Sequence, residues 1–438
     1  MRVLWLAVVP SLYDEGKIGG WIGSLENIFR VYKKELEQEL NSGSDAGKYG
    51  ETIDLGIVFE HKDNKKAVKN GVTYYPVNGG FTFQDKVKRF FDVSLTWKKL
   101  RPRFMEAVED FKPDIIQCFG SEWPYGLIVE DVKDIPVVIH IQGFLNIYNP
   151  TELMAFNDND CKIYYKWKLL HRLYYSIRSA SKNSEQTLAQ EREIMKLTHY
   201  FMGRTDWDKN IVKYYGPEDA KYFYCPEAIR PAIYDSPVRW TYDDQEMNST
   251  AVMHIVTITQ AGTLKGNEII LRTADFLKNR MGFNFRWRVA GHTAGFERYE
   301  FRSGIKHEDV NVELIGMIPA EQVAEELSKA EVYVHPSIMD NSPNSLCEAQ
   351  LIGTPVIATC SGGIPQLVED EVTGELYPYN EYQALAFKLM DIHGDKERME
   401  KLSSEEQSAA HIRHDPEKLG RRVIDIYKGV LKASETSQ

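Results

Sequence analysis

The chain has 438 residues, of which 43% are hydrophobic and 27% charged, and it carries a formal net charge of −11. That length suits two globular domains of about 200 residues each. The composition excludes a disordered chain, and the acidic balance excludes a general nucleic-acid binder, which needs a basic face to meet phosphates.

The apolar run 3–9 follows Arg2 and has the length of a signal-peptide core, but no small-residue cleavage site follows it. It reads instead as a buried first strand, and the chain is expected to be cytoplasmic. No run approaches the roughly 18 apolar residues that span a bilayer. Further strand-like runs lie at 53–59, 72–77, 114–119, 136–141, 200–202 and 222–225, with helical periods at 22–40 and 87–111 between them. Val and Ile dominate with little polar alternation, which points to strands buried on both faces. A polar stretch at 236–250 reads as an interdomain linker. The alternation then restarts with runs at 252–258, 285–290, 312–315, 331–335 and 355–359. Near the end, Leu419, Val423, Ile426, Tyr427 and Val430 have helical spacing over 417–432. The predicted class is α/β, with two Rossmann-like doubly wound domains at 1–238 and 239–416. A terminal helix at 417–438 is expected to pack at their junction. The five cysteines, Cys118, Cys161, Cys225, Cys347 and Cys360, have no metal-site or redox spacing and are expected to be reduced.

The most informative region runs from Val332 to Pro378. A strand ends near Ser337, and a loop through Asp340, Asn341 and Ser342 leads to a helix starting at Pro343 or Asn344. Free N–H groups at that start, near Asn344, Ser345 and Leu346, together with the helix dipole, suit a diphosphate. Asp340 precedes the helix, where its carboxylate can accept from sugar hydroxyls, and Glu348 lies within it, in reach of a ribose diol. Each residue alone is better read as a cap or a surface ion pair. Their order, followed by Gly353-Thr354-Pro355-Val356-Ile357-Ala358 and Gly362-Gly363-Ile364-Pro365, favours a nucleotide-sugar site.

These residues resemble glycosyltransferase family 4, whose hallmark is an acidic pair separated by seven residues, usually two glutamates. Asp340 and Glu348 are the pair here, and Asp340 is one methylene shorter than the usual Glu. The resemblance implies a GT-B fold, with the two domains facing across a cleft, and a retaining, metal-independent glycosyltransferase. It assigns the acceptor to the N-terminal domain and the nucleotide-sugar donor to the C-terminal one. The first acid would hold the donor sugar, and the second the ribose. Lys265-Gly266 matches the family's donor-phosphate loop, while Gln260 stands where an Arg is expected. Gly19 and Gly20, in a glycine-rich turn before a helix, would lie against the donor phosphate. His140, at a strand's C-terminal edge, would contact the reacting sugar, although a satisfied core histidine is the alternative. Arg204 would serve acceptor or phosphates and is a candidate to compensate for Gln260. Gly291 and His292 would line the nucleotide side, and Glu227 is as well read as a cap.

A UDP- or GDP-sugar is the expected donor and co-substrate, with no cofactor or metal. A glycan or lipid-linked glycan is the expected acceptor, in bacterial capsular or other surface-polysaccharide synthesis, and no nucleic acid is expected. Residues 161–182 are basic and aromatic without an acidic residue. They suit either an amphipathic helix packed on the core or a peripheral contact with the inner membrane face. A non-catalytic nucleotide-sugar scaffold and a GT-B-fold nucleotide-sugar epimerase remain the competing functions.

Overall fold

The computed structural model describes residues 1–14, 20–41, 53–155, 160, 163–164, 173, 184–260 and 262–436. The chain forms two compact units, one of residues 1–150, 173–230 and 415–438, the other of 151–172 and 231–414. Among the described residues each unit is built on one sheet.

The first sheet holds β1 (Arg2–Ala7), β2 (Asp54–Glu60), β3 (Ala67–Lys69), β4 (Val72–Val77), β5 (Ile115–Phe119), β6 (Val137–His140), β7 (Tyr200–Gly203) and β8 (Lys221–Tyr224). Its order is β3-β4-β2-β1-β5-β6-β7-β8. All neighbours are parallel except the short edge pair of β3 with β4. The order reverses at β1, so the crevice beyond the ends of β1 and β5 is this unit's switch point. Helices α1 (Gly20–Asn41), α2 (Phe83–Lys88) and α3 (Ser94–Phe111) belong to this unit. The single helix expected over 87–111 is therefore two. Thr82 and Asp85 form a capping box that starts α2 early. After it, Asp92 accepts from the N–H of Ser94 at 3.0 Å, a local bond that competes with helix continuation before α3 begins.

The second sheet contains β9 (Met253–Gln260), β10 (Phe285–His292), β11 (Val312–Gly316), β12 (Val332–His335), β13 (Val356–Thr359) and β14 (Glu375–Tyr377). They lie in the order β11-β10-β9-β12-β13-β14, every pair parallel. Here the order reverses between β9 and β12. Helices α4 (Asn267–Asp275) and α5 (Asn344–Ile352) follow β9 and β12. The polar stretch at 236–250 is not a free tether. Trp240 is buried, its backbone N–H donates to the Ile352 carbonyl at 2.9 Å, and its indole donates to Ala330 at 2.8 Å.

The last helix, α6 (Pro416–Glu435), returns to the first unit. Its apolar stripe of Leu419, Val423, Tyr427 and Val430 enters the same buried cluster as Trp5, Phe29 and Phe119. The Tyr427 hydroxyl accepts from the Trp5 indole at 3.0 Å and donates to the Gln117 side-chain oxygen, so one buried group satisfies two others. Tyr427→Phe leaves both without their partner. We expect a loss of about 1–3 kcal/mol, read as a lower thermal midpoint for the first unit with unchanged far-UV dichroism. An unaltered midpoint would show that the pair of bonds contributes nothing.

Candidate functional site

The second unit's switch point places two loops side by side. One follows β9 and carries Lys265; the other follows β12 and carries Ser337 and Asp340. Backbone contacts join them: the Ile338 N–H donates to the Leu264 carbonyl at 2.8 Å. Gly266 has φ +69°, and a Cβ there would come within 1.8 Å of the Pro336 carbonyl oxygen, so only glycine permits this approach. Gly362, at φ +58°, approaches the Asp340 carbonyl in the same way.

These loops bring Lys265 and Asp340 together, with Nζ 2.5 Å from Oδ2. The Ser337 hydroxyl donates to the same oxygen at 3.2 Å, and His335 Nε2 lies 3.5 Å from it. The Asp340 side chain is 13% exposed and that of Lys265 32%. Burial alone would raise the Asp340 pKa, but the Lys265 ammonium and the His335 contact outweigh it and hold the carboxyl well below the usual carboxylate range. His335 is buried, and burial pulls its pKa down, so the ring is neutral near pH 7. Its Nδ1 is 3.1 Å from the Tyr333 hydroxyl, which donates to Ser345 Oγ at 2.9 Å.

Ser345 lies in the first turn of α5. The helix begins after Pro343 without a side-chain cap. Asn344 and Ser345 are half-buried at its start, where the first N–H groups of a helix have no intrahelical acceptor. The third expected donor is already used: the Leu346 N–H donates to the Pro343 carbonyl at 3.1 Å, and its side chain is buried. Glu348 is buried further along the same helix. Gln260 ends β9 with its side chain exposed, while its carbonyl accepts from Asn267 at 3.0 Å. Its register partner on β10 is His292. Gly291, at φ +111°, passes so close to the Thr259 carbonyl that a Cβ would sit 1.9 Å from its oxygen, so only glycine permits this approach beside the edge.

The remaining candidates belong to the first unit. Gly20 opens α1 at φ +58°, with open space around it, and Gly19 lies outside the described residues. His140 ends β6 and is fully buried. Its ring is 4.8 Å from that of Trp21, and Nδ1 is 3.3 Å from the Gln117 amide. Burial first, and then the Arg204 charge, pushes its pKa down to about 3, so the ring is neutral and exposes no atom. Arg204 follows β7 and is also buried. Its guanidinium donates to the Gln142 carbonyl at 2.7 Å and lies 5.8 Å from the centre of the Trp21 ring. Glu227 is buried. The basic stretch 161–182 lies almost wholly outside the described residues.

Sequence reasoning missed His335, Tyr333, Ser337 and Glu122. A histidine at the C-terminal end of a buried parallel strand is a readable signal, and it applies to His335 as well as to His140. Glu122 follows β5, and its carboxyl tip folds against the backbone of Gly120 and Gly143. Burial, assisted by Glu191, pushes its pKa up to about 8, against the opposing effects of backbone hydrogen bonds and Arg204.

Residues 240–408 match the family model described as Glycosyl transferases group 1, and this segment is a domain of that family. The putative colanic acid biosynthesis glycosyltransferase WcaL of Escherichia coli is 34% identical over 146 residues, which are 31% of this chain and 35% of that protein. The amylovoran biosynthesis glycosyltransferase AmsK of Erwinia amylovora is 29% identical over 146 residues, 32% of this chain and 35% of that protein. The match thus spans 35% of the length of each of these relatives. Among solved structures, sucrose-phosphate synthase from Thermosynechococcus elongatus aligns with a TM-score of 0.70 at 15% identity, covering 99% of both chains. Anabaena HepE in complex with UDP and glucose aligns at 0.63 and 14%, covering 98% of this chain and 99% of that one. At these identities the likeness establishes the fold, two Rossmann-like α/β domains of the GT-B class.

Two pH effects of opposite sign follow. Asp340 has its folded pKa held below the unfolded value near 4. Its stabilisation is therefore complete above about pH 4 and lost as pH falls below that. In Lys265→Ala, burial faces less opposition, so the acid limb of the melting-temperature profile flattens; an unchanged limb would refute the pairing. Glu122 binds its proton more tightly folded than unfolded. Its contribution to stability therefore declines as pH rises from about 5 to about 8. Glu122→Gln should gain on the native protein when both are melted at pH 8 rather than pH 6, and equal changes would reject the shifted carboxyl.

Proposed function

We propose that this chain, which carries a group 1 glycosyl transferase domain, is a retaining, metal-independent glycosyltransferase. It moves a sugar from a nucleotide-diphosphate sugar to an acceptor hydroxyl in surface-polysaccharide synthesis. The observation that carries this reading is the Lys265–Asp340 pair at the switch point between β9 and β12, beside the uncapped start of α5. The named roles of WcaL and AmsK support the pathway class, and the UDP and glucose in HepE support a UDP-sugar donor, with a GDP-sugar as the alternative.

In this mechanism Lys265 exchanges its partner. The diphosphate binds at the α5 start, where the N–H groups of Asn344 and Ser345 and the helix dipole favour an anion. Lys265 turns from Asp340 to the phosphates and neutralises charge building on the leaving group. Asp340, oriented by Ser337 and neutral His335, is then free to accept from hydroxyls of the donor sugar, and Glu348 holds the ribose. The acceptor attacks from the leaving-group side, and a phosphate oxygen takes its proton, which gives retention. Arg204 acts in the first unit, which takes a glycan or lipid-linked glycan, and His140, buried against Trp21, backs that edge without reaching the ligand. Full turnover by Arg204→Ala would remove Arg204 from this scheme. The departures at Asp340 and Gln260 motivate the main rival, a binding scaffold without turnover.

The test is calorimetric binding of UDP, GDP and ADP to the full chain, to Lys265→Ala and to Glu348→Ala. Selective binding of one nucleotide, weakened in both variants, is expected. With the matching donor and an acceptor, Lys265→Ala should lose roughly 10²–10³ in kcat. The anomer read by NMR should be retained, and chelator should leave the rate unchanged. Binding without turnover would favour the scaffold, and a converted donor without acceptor would favour an epimerase.

A further inference from the structure

Tyr333 and His335 stand two residues apart on β12, so their side chains share one face of the strand. Both are buried, and their rings lie 6.2 Å apart. β12 is itself held between β9 and β13, which fixes the strand beneath both rings. Three hydrogen-bonding groups follow in a row: the His335 ring, the Tyr333 hydroxyl, and the Ser345 hydroxyl in the first turn of α5. The proposed reaction uses the two ends of this row, Asp340 beside His335 and the α5 start at Ser345. It gives Tyr333 no part.

Each hydroxyl has one proton to give, and a neutral imidazole has one more. The Tyr333 proton goes to Ser345 Oγ at 2.9 Å. Towards His335 Nδ1, 3.1 Å away, the Tyr333 oxygen can therefore only accept. The ring proton is then on Nδ1, and Nε2 keeps a bare lone pair. That atom is buried, makes no hydrogen bond among the described residues, and lies 3.5 Å from Asp340 Oδ2. A histidine beside a carboxylate commonly turns an N–H toward it. Here the Lys265 ammonium, 2.5 Å from the same oxygen, takes that place. At the other end Ser345 accepts from Tyr333, so its own proton is left for another acceptor.

We propose that Tyr333 is a positioning residue that sets the hydrogen-bond polarity of the donor site from end to end. Because it donates to Ser345, the Ser345 hydroxyl gives its proton to the diphosphate at the start of α5. Because it accepts from His335, Nε2 remains an acceptor. When Lys265 turns to the phosphates, Nε2 and the Asp340 carboxylate together receive hydroxyls of the donor sugar. A hydroxyl that donates to phosphate is itself a better acceptor, so diphosphate binding strengthens the Tyr333–Ser345 bond and holds the ring in the same form. The assignment rests on the nucleotide-sugar reading, and it adds a reason why diphosphate and sugar are bound as one ligand.

The experiment is nitrogen NMR of the full chain with labelled histidine at neutral pH, the His335 signals being identified by their loss in His335→Asn. A ring protonated on Nδ1 is expected in the native chain without any ligand. Tyr333→Phe and Ser345→Ala should each move the proton to Nε2. The first removes the acceptor for the Nδ1 proton, and the second turns the Tyr333 hydroxyl back toward the ring. Ser345→Thr should restore the native form. A merely structural Ser345, which forms no hydrogen bond with His335 or Asp340 itself, would leave the ring unchanged. By calorimetry Ser345→Ala should bind UDP about tenfold more weakly, the worth of a hydrogen bond to a charged group, while Tyr333→Phe stays within about twofold of native. With the donor that supports turnover, Tyr333→Phe should lose about tenfold in kcat/KM, at the sugar end. A native ring protonated on Nε2, or a ring that neither variant changes, would overturn the relay even where UDP binds. A chain with the Nδ1-protonated ring that binds none of UDP, GDP and ADP would instead overturn the donor reading, and the relay's role with it.

Discussion

The ion pair between Lys265 and Asp340 is the contact on which the candidate site depends, and the sheet makes it. The two residues are 75 positions apart in sequence. They meet because β9 and β12 are neighbours, run parallel and send their following loops to the same edge. Gly266, without a Cβ atom, lets those loops close on each other, and Gly362 lets the loop after β13 approach Asp340. A parallel sheet whose order reverses there leaves a gap no crossover helix covers, and polar side chains can fill it. An ionised pair in such a gap costs desolvation, which neighbouring hydrogen bonds must offset. The Ser337 hydroxyl supplies one to Asp340 Oδ2, and His335 Nε2 lies 3.5 Å from the same oxygen.

From Asp340 the contacts continue through His335 and Tyr333 to Ser345 at the start of α5. A single buried line of side chains thus joins the carboxylate to the helix terminus. Its middle members are neutral: burial keeps His335 uncharged and pushes the Tyr333 hydroxyl up. A neutral line of side chains links the two ends without adding a second cation that would compete with Lys265 for Asp340. Removing Tyr333's hydroxyl would loosen the two ends from each other while leaving each in place.

The architecture was legible because buried parallel strands are written as short runs of Val and Ile, and each of the twelve runs named in the sequence corresponds to a strand. The strands that escaped notice, β3 and β14, have three residues each, too few for a pattern. The break between α2 and α3 escaped because apolar spacing crosses it; the Asp92–Ser94 bond marks where α3 begins. Asp340, Glu348 and Lys265 were legible from motif order, as was the helix start between them. The turn of the Leu346 N–H back to the Pro343 carbonyl is not visible in the spacing. The two strand-end histidines show the limit of positional rules: one faces a carboxylate and the other is enclosed by aromatic rings, and only the packing of neighbouring elements separates them.

The electrostatic contrast between the two units fits the proposed division of labour. At the second unit's edge the Lys265 ammonium lies against the Asp340 carboxyl and helps to hold it ionised. At the first unit's edge burial acts the opposite way: His140 is driven down to about 3 and Glu122 up to about 8, so both are neutral near pH 7. A diphosphate carries charge that is best met by charge, and Lys265 at this edge can supply it. A glycan offers hydroxyls, which are better met by neutral donors and acceptors than by an ion that would have to be desolvated. The group 1 match, at 240–408, falls within the second unit. That is the expected place for shared sequence if the donor's diphosphate imposes one geometry while acceptors differ, because a fixed charge restricts the residues that can face it more tightly than a variable set of hydroxyls does.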